Sequence, residues 1–265
     1  MKLHILLCLL LAGCSAQPGA PEANQPESEP QPSSSPPAPA PKPFALEEEN
    51  ELIDFSFGWS ADAAAIPQLV SRFRQEMAKN RAQLLASAKA DKAEQEKSGF
   101  DFHQYQSSRD YSTAGQSDRL LSLEVNFSEY TGGAHPNHGT GALLWDRGEA
   151  KEIKIADLFA APGNRDRLLT QRWCDAINKA REEKRGEPVG GDGMFDECPK
   201  LDEIAIVPVD AGQDGRFDKL ALIASPYVAG PYVEGDYEIE LAVTPDLIAA
   251  LKQEYRGSFE TPQPQ

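Results

Sequence analysis

Two histidines three residues apart, His135 and His138, stand in a run crowded with glycine: Gly132, Gly133, Gly139 and Gly141 surround them. Imidazoles at this spacing can share a metal ion or relay a proton, and glycine lets backbone approach a bound group closely. A zinc site would need further donors, of which Glu129 is the nearest in sequence. A turn carrying two solvated imidazoles is the plainer reading, and no metal or cofactor is expected. Tyr130 lies in the same run, and Trp145 follows it. A second stretch, from Tyr227 to Tyr232, is rich in proline and glycine. Aromatic faces suit sugar rings and protein anchors alike. The candidate ligand-binding set is therefore Tyr130, Gly132, Gly133, His135, His138, Trp145, Tyr227 and Tyr232. The competing reading is that both loops only fix sheet geometry.

Other chemistry is weaker. Asp210-x-Gly212-x-Asp214-Gly215-x-x-Asp218 has part of a calcium-loop spacing, but Gly212 and Ala221 stand where an EF-hand needs oxygen ligands. It reads as a turn between strands. No Gly-x-Ser-x-Gly, His-Glu-x-x-His or phosphate-cradling loop occurs, and carboxylates are too abundant for any acid/base pair to be singled out. No catalytic residue is assigned.

The four cysteines divide by position. Lys2, the apolar run Leu3 to Leu10 and the small residues before Cys14 have the three parts of an export signal, too short to span a bilayer. Leu11-Ala12-Gly13-Cys14 resembles a lipobox, which implies cleavage before Cys14 and lipid on its thiol. Two or more acyl chains hold a protein stably to a membrane. Ser15 after the cysteine resembles the kind sorted to the outer membrane, facing the periplasm. Cys174 and Cys198 are then one pair in an oxidising compartment, and are expected to form a disulfide. Across about 25 residues such a bridge contributes roughly 3–4 kcal/mol.

With 26 basic and 42 acidic residues the formal charge is −16. This speaks against nucleic acid and anionic lipid surfaces as partners, and favours a basic one. Between Ser15 and Phe44, ten of thirty residues are proline. Residues 14–44 thus form a disordered tether, reaching at most roughly 90 Å at about 3.1 Å per residue. Residues 45–255 are expected to fold as one domain, with a disordered tail at 256–265.

The elements that must position the candidate residues follow from periodicity. Ile66, Leu69, Val70, Phe73, Met77 and Leu84 share one helical face, with Pro67 suited to its first turn and Gly99 beyond its end. Leu121, Leu123, Val125 and Phe127 alternate with polar residues as a half-buried strand, flanked by strands at 100–112 and 139–146. A second helix spans about 164–184, with Leu169, Trp173, Ile177 and Ala180 inward and Lys179, Arg181, Lys184 and Arg185 crowding its C-terminal end, favourable against the helix dipole. Strands follow near 204–209, 219–225 and 237–243, and Thr244-Pro245 opens a short helix. The fold class is α+β, an antiparallel sheet packed with two main helices.

Two motifs carry a resemblance. Tyr130-Thr131-Gly132-Gly133-Ala134-His135 is similar to a signature in the extracytoplasmic region of RsiV-type, lysozyme-sensing anti-sigma factors. Ser225-Pro226-Tyr227-Val228-Ala229-Gly230-Pro231-Tyr232 resembles a run in the C-terminal half of that region, again before an acidic strand. A related domain precedes the catalytic domain of some peptidoglycan deacetylases. The resemblance covers most of 50–250. It implies an extracytoplasmic module that in one branch binds lysozyme, a basic protein, and transfers no contact residues. The sequence shows neither a spanning helix nor a sigma-binding segment, so capture is expected rather than signalling. The leading expectation is a non-catalytic module binding a basic protein such as lysozyme, or peptidoglycan. The alternatives are a peptidoglycan hydrolase or deacetylase using His135 and His138, and a structural envelope protein.

Overall fold

The computed structural model describes residues 40–189 and 193–262. The signal segment 1–13, the lipidation site Cys14 and most of the tether 14–44 lie outside the described residues, as do Gly190 and Gly191.

The chain opens with strands β1 (Phe44–Glu49) and β2 (Ile53–Trp59), then helices α1 (Ala61–Ala64) and α2 (Pro67–Ser98). Strands β3 (Tyr105–Gln116), β4 (Leu120–Tyr130), β5 (Asn137–Asp146) and β6 (Lys151–Ile153) follow. These six strands form one sheet in the order β1-β2-β3-β4-β5-β6. Every pairing is antiparallel except β2 with β3. A parallel pair needs a long crossover, and α2 supplies it. Helix α3 (Asn164–Arg185) leads to β7 (Ala205–Val209), β8 (Lys219–Ala224) and β9 (Tyr237–Ala242), an antiparallel sheet of three. Short helices α4 (Pro245–Ala250) and α5 (Gln253–Arg256) follow. The class is α+β with two main helices, as the periodicity indicates.

Alternation decides what each face meets. Phe55, Phe57, Leu121, Leu123 and Trp145 turn to one side of the large sheet, where Leu69, Phe73 and Leu84 of α2 cover them. Leu120, Leu144 and Ile153 join a second core, filled by Leu169, Trp173 and Ile177 of α3 and by Leu220 and Leu222 of β8. Helix α2 starts with Pro67 and stops where Gly99 adopts φ 75°, a left-handed conformation glycine takes freely. The Cys174–Cys198 disulfide is present, with Cα atoms 5.4 Å apart.

Three details depart from the periodicity reading. The glutamate run 47–49, for which periodicity announces no element, lies in strand β1, with Phe44, Leu46 and Glu48 half-buried and Glu48 paired with Arg81 of α2. Phe127 is 38% exposed rather than buried, because Arg109 and not an apolar residue lies over its ring. The tail expected to be disordered from 256 instead packs as far as Phe259, which is buried against Phe217 with ring centroids 5.1 Å apart. A single apolar residue was too little pattern to announce this.

Candidate functional site: two loops joined by histidine and tyrosine rings

The turn between β4 and β5 carries the first motif, and the connection from β8 to β9 carries the second. The antiparallel register sets Ser128 opposite His138 and Glu129 opposite Asn137, so the turn 131–136 projects from the end of the large sheet. Within it Tyr130 donates to the Gly133 carbonyl at 3.2 Å, and Gly132 has φ +84°. The second loop is held to this sheet by Ser225, whose Oγ accepts the Thr140 N–H at 3.0 Å.

The two loops meet through their rings. His135 stacks on Tyr232 with centroids 3.6 Å apart and planes 20° from parallel. The Tyr227 hydroxyl lies 3.3 Å from His135 Nε2, and the Tyr232 hydroxyl 3.4 Å from His138 Nδ1. His135 Nδ1 is 3.0 Å from the Pro136 carbonyl, which can only accept, so the proton belongs on Nδ1 and Nε2 is left to accept from Tyr227. His138 Nε2 is 3.5 Å from Asp236 Oδ2. Tyr227 is 55% exposed and has φ +69°, rare for a residue with a side chain. The turn from Ser225 to Gly230 imposes that conformation: the Val228 N–H bonds to the Ser225 carbonyl, and the Tyr227 N–H to that of Gly230. The backbone thus presents the Tyr227 ring outward beside the imidazoles.

Helix α3 secures the second loop. Arg181, fully buried, donates through Nε to the Ala229 carbonyl at 2.8 Å. Lys184 Nζ donates to the carbonyls of Glu234 and Asp236 at 2.7 and 2.8 Å. Arg185 holds the Glu234 carboxylate from Nε and NH2 at 3.0 and 3.2 Å. Burial alone would raise the Glu234 carboxyl, yet the Arg185 and Tyr237 hydrogen bonds hold it below its usual range. Burial, then Glu234, pushes Tyr237 up to about 12.

Of the expected set, His135, His138, Tyr227 and Tyr232 form one cluster, with Tyr130, Gly132 and Gly133 in the adjoining turn. Trp145 does not join them and is corrected to a core residue. It lies at the far end of β5, 7% exposed and packed in the core beneath α2, because odd-numbered residues of that strand face the helix. The residues not foreseen were Ser225, Glu234 and Asp236, and the loop-holding role of Arg181, Lys184 and Arg185. A cationic run at a helix end carries a dipole signal that hides any more specific use. The calcium-like run is a strand turn, in which Asp210 accepts the N–H groups of Asp214 and Gly215 and Asp218 that of Ala211. Among the described residues, no group of three or more His, Cys, Asp or Glu is placed to hold a metal ion.

Beside the cluster lies an open hollow of about 430 Å³ on the outward face of the large sheet, reached by Ser56, Ser108, Ser128, His138 and Asp236. The carboxylates Glu47, Asp110 and Asp236 line it. Burial, then Glu124, Glu240 and Asp236, raises the Glu238 carboxyl. Exposed tyrosine, imidazole and carboxylate make a surface that can stack on a ring, anchor an apolar group and attract a cation.

No curated protein matches the chain. Residues 46–138 match the model of a protein family described as Deacetylase PdaC. Among solved structures, the chain is similar to a DUF3298 family protein from Pseudomonas aeruginosa PAO1, at 18% identity and TM-score 0.53, covering 79% of this chain and 97% of that one. It is also similar to a DUF3298 family member from Bacteroides fragilis NCTC 9343, at 17% identity and TM-score 0.50, covering 82% and 95%. The chain therefore joins a PdaC-like stretch at 46–138 to the fold that these DUF3298 structures share over most of its length.

Proposed function

We propose that this chain is a cell-envelope binding module, tethered by lipid on Cys14 and capturing a protein or cell-wall glycan with the joined loops. The observation that carries the reading is the His135–Tyr232 stack beside the outward Tyr227 ring. It converts two glycine- and proline-rich loops, distant in sequence, into one preorganised aromatic surface, and preorganisation lowers the entropic cost of binding. The formal charge of −16 and the acidic rim favour a basic partner, and lysozyme is the version that the RsiV-type resemblance motivates. Among the described residues no helix is long and apolar enough to cross a membrane. The anchor would be the lipid.

Calorimetry with lysozyme at low salt, and co-sedimentation with peptidoglycan, tests the reading. Binding to one of them, weakened at least tenfold by Tyr227→Ala, is the expected result. Binding to neither sinks it. Labelled fatty acid incorporated by the parent but not by Cys14→Ala tests the anchor.

One observation favours a second reading. The family matched over 46–138 is described as a deacetylase, and His138 with Asp236 could serve as an acid/base pair on N-acetylated glycan. Release of acetate from peptidoglycan fragments, abolished by His138→Ala, would support it. Unchanged fragment masses after incubation would remove it.

A further inference from the structure

The disulfide and the His–Tyr cluster lie on opposite sides of one buried arginine. Cys174 and Arg181 are seven residues, two turns, apart along one face of α3. Cys174 is bonded to Cys198, and the two residues before Cys198 turn their carbonyls to Arg181: Asp196 O accepts from NH1 at 3.4 Å and Glu197 O from NH2 at 3.1 Å. On the residue after it, the Pro199 carbonyl accepts from Trp173 Nε1 at 2.9 Å. The same guanidinium reaches the other way through Nε to Ala229, in the middle of the Tyr227–Tyr232 motif. Arg185 repeats the bridge one turn later, with NH1 3.2 Å from Asp196 Oδ1 and Nε 3.0 Å from Glu234 Oε1.

A guanidinium is a planar fork whose donors cannot move independently. Shifting the acceptors on one side rotates the fork and draws the remaining donor from its own acceptor. Arg181 cannot escape by losing its proton, because arginine stays charged in proteins. NH1 also donates to Asn178 Oδ1 at 3.1 Å, and Arg185 NH2 lies 3.4 Å from the same Ala229 carbonyl, so a shift of 196–198 reaches Ala229 through both arginines.

We propose that Arg181 is a positioning residue for the 225–236 loop, through which the Cys174–Cys198 bond sets how rigidly the His–Tyr cluster is held. An oxidised chain presents an ordered cluster, and a reduced chain a loosened one. In reduction a dithiol gives two electrons and two protons to the sulfurs, leaving two thiols and closing to its own disulfide. The consequence for affinity rests on the binding reading above, but loop order can be measured with no ligand present.

Hydrogen exchange of the full chain, followed by mass spectrometry, makes that measurement before and after reduction by dithiothreitol and alkylation. Peptides covering 225–236 should exchange roughly tenfold faster in the reduced chain, with those of β2 and α2 unchanged. Arg181→Lys, which keeps the charge but not the fork, should speed the same peptides with the disulfide intact. Unchanged exchange at 225–236 with both cysteines alkylated overturns the proposal, as does an equal rise in β2, which would mean general unfolding. If the chain binds neither lysozyme nor peptidoglycan while the exchange result holds, only the binding reading fails. If it binds but exchange does not respond, only this inference fails.

Discussion

His135 and Tyr232 lie face to face, one from each sheet of the molecule, and no strand pairing joins the loops that carry them. The stack, the two ring hydroxyl contacts and the Ser225–Thr140 bond are side-chain interactions. The first loop turns at Gly132, with φ +84°, and the second is held from α3 by Arg181, Lys184 and Arg185. The cluster is thus a seam between two preformed halves.

Removing the stack should open that seam without unfolding either sheet. Tyr232→Leu keeps apolar bulk but loses the ring, and should lower stability by about 1 kcal/mol, the usual worth of an aromatic pair beyond its burial. Tyr232→Phe, which keeps the ring and loses only the His138 contact, should cost less than half of that. Urea unfolding of the three proteins decides it. Equal midpoints for Tyr232→Leu and Tyr232→Phe would show that the stack contributes nothing.

Asp146 is the most buried charge of the large sheet, at 0% exposure. Its Oδ2 accepts from Arg119 NH2 at 2.8 Å and from the Tyr255 hydroxyl at 2.9 Å, and its Oδ1 accepts the Gly148 and Glu149 N–H groups. Burial alone would raise this carboxyl, but Arg119, Tyr255 and the Glu149 N–H hold it below its ordinary 3.8. Its contribution is therefore complete above about pH 3.8 and is lost only as pH falls below that, toward the depressed folded value. Asp146→Ala should cost about 3 kcal/mol, the low end for a broken buried pair, since Arg119 can turn partly to water. Thermal melts at pH 7 and at pH 3 should show a large gap between parent and variant at the first and a narrowed gap at the second.

These residues show what a sequence can and cannot make legible. Alternation at Leu121, Leu123 and Val125 and the helical spacing of Leu169, Trp173 and Ile177 are local signals, each repeated often enough to fix an element and its buried face. The motifs at Tyr130 and Tyr227 were visible as motifs, but their meeting depends on how two sheets stack, which no local pattern encodes. Trp145 misled because an aromatic residue near a loop in sequence can still point into a core. Arg181 was hidden for the opposite reason: its charge argued for solvent, while three backbone carbonyls made burial tolerable.

Gly139 should prove irreplaceable for a reason of space. A Cβ there would stand 2.8 Å from Ser225 Oγ and 2.9 Å from Phe127 Cζ. Ser225 could yield only by giving up its bond to the Thr140 N–H. Gly139→Ala should therefore destabilise by about 1–3 kcal/mol, the cost of overpacking, and separate the loops. The chemical shifts of the His135 and His138 ring protons report the second effect. Gly141→Ala, whose Cβ would meet nothing closer than Val125 Cβ at 3.7 Å, is the matched control and should leave those shifts in place. Identical behaviour of the two variants would refute the spatial argument.

Alkaline pH should unfold the domain through its tyrosines. Burial in each case, followed by a carboxylate neighbour, pushes four of them up to about 12: Tyr105 beside Asp91, Tyr111 beside Glu76, Tyr237 beside Glu234 and Tyr255 beside Asp146. A folded value raised above the ordinary 10.0 means that the native state holds the proton more tightly than the unfolded chain does. The contribution is thus fully present below about pH 10 and fades as pH rises from there through about 12. Circular dichroism should show stability falling steeply across that window, with tyrosinate absorbance appearing together with unfolding. Tyr255→Phe removes one of the four protons at stake and also a donor to Asp146. It should therefore be less stable than the parent at pH 7 yet lose stability more gently between pH 10 and 12. A parallel decline of the two proteins would mean that Tyr255 holds its proton no more tightly in the native state than in the unfolded chain.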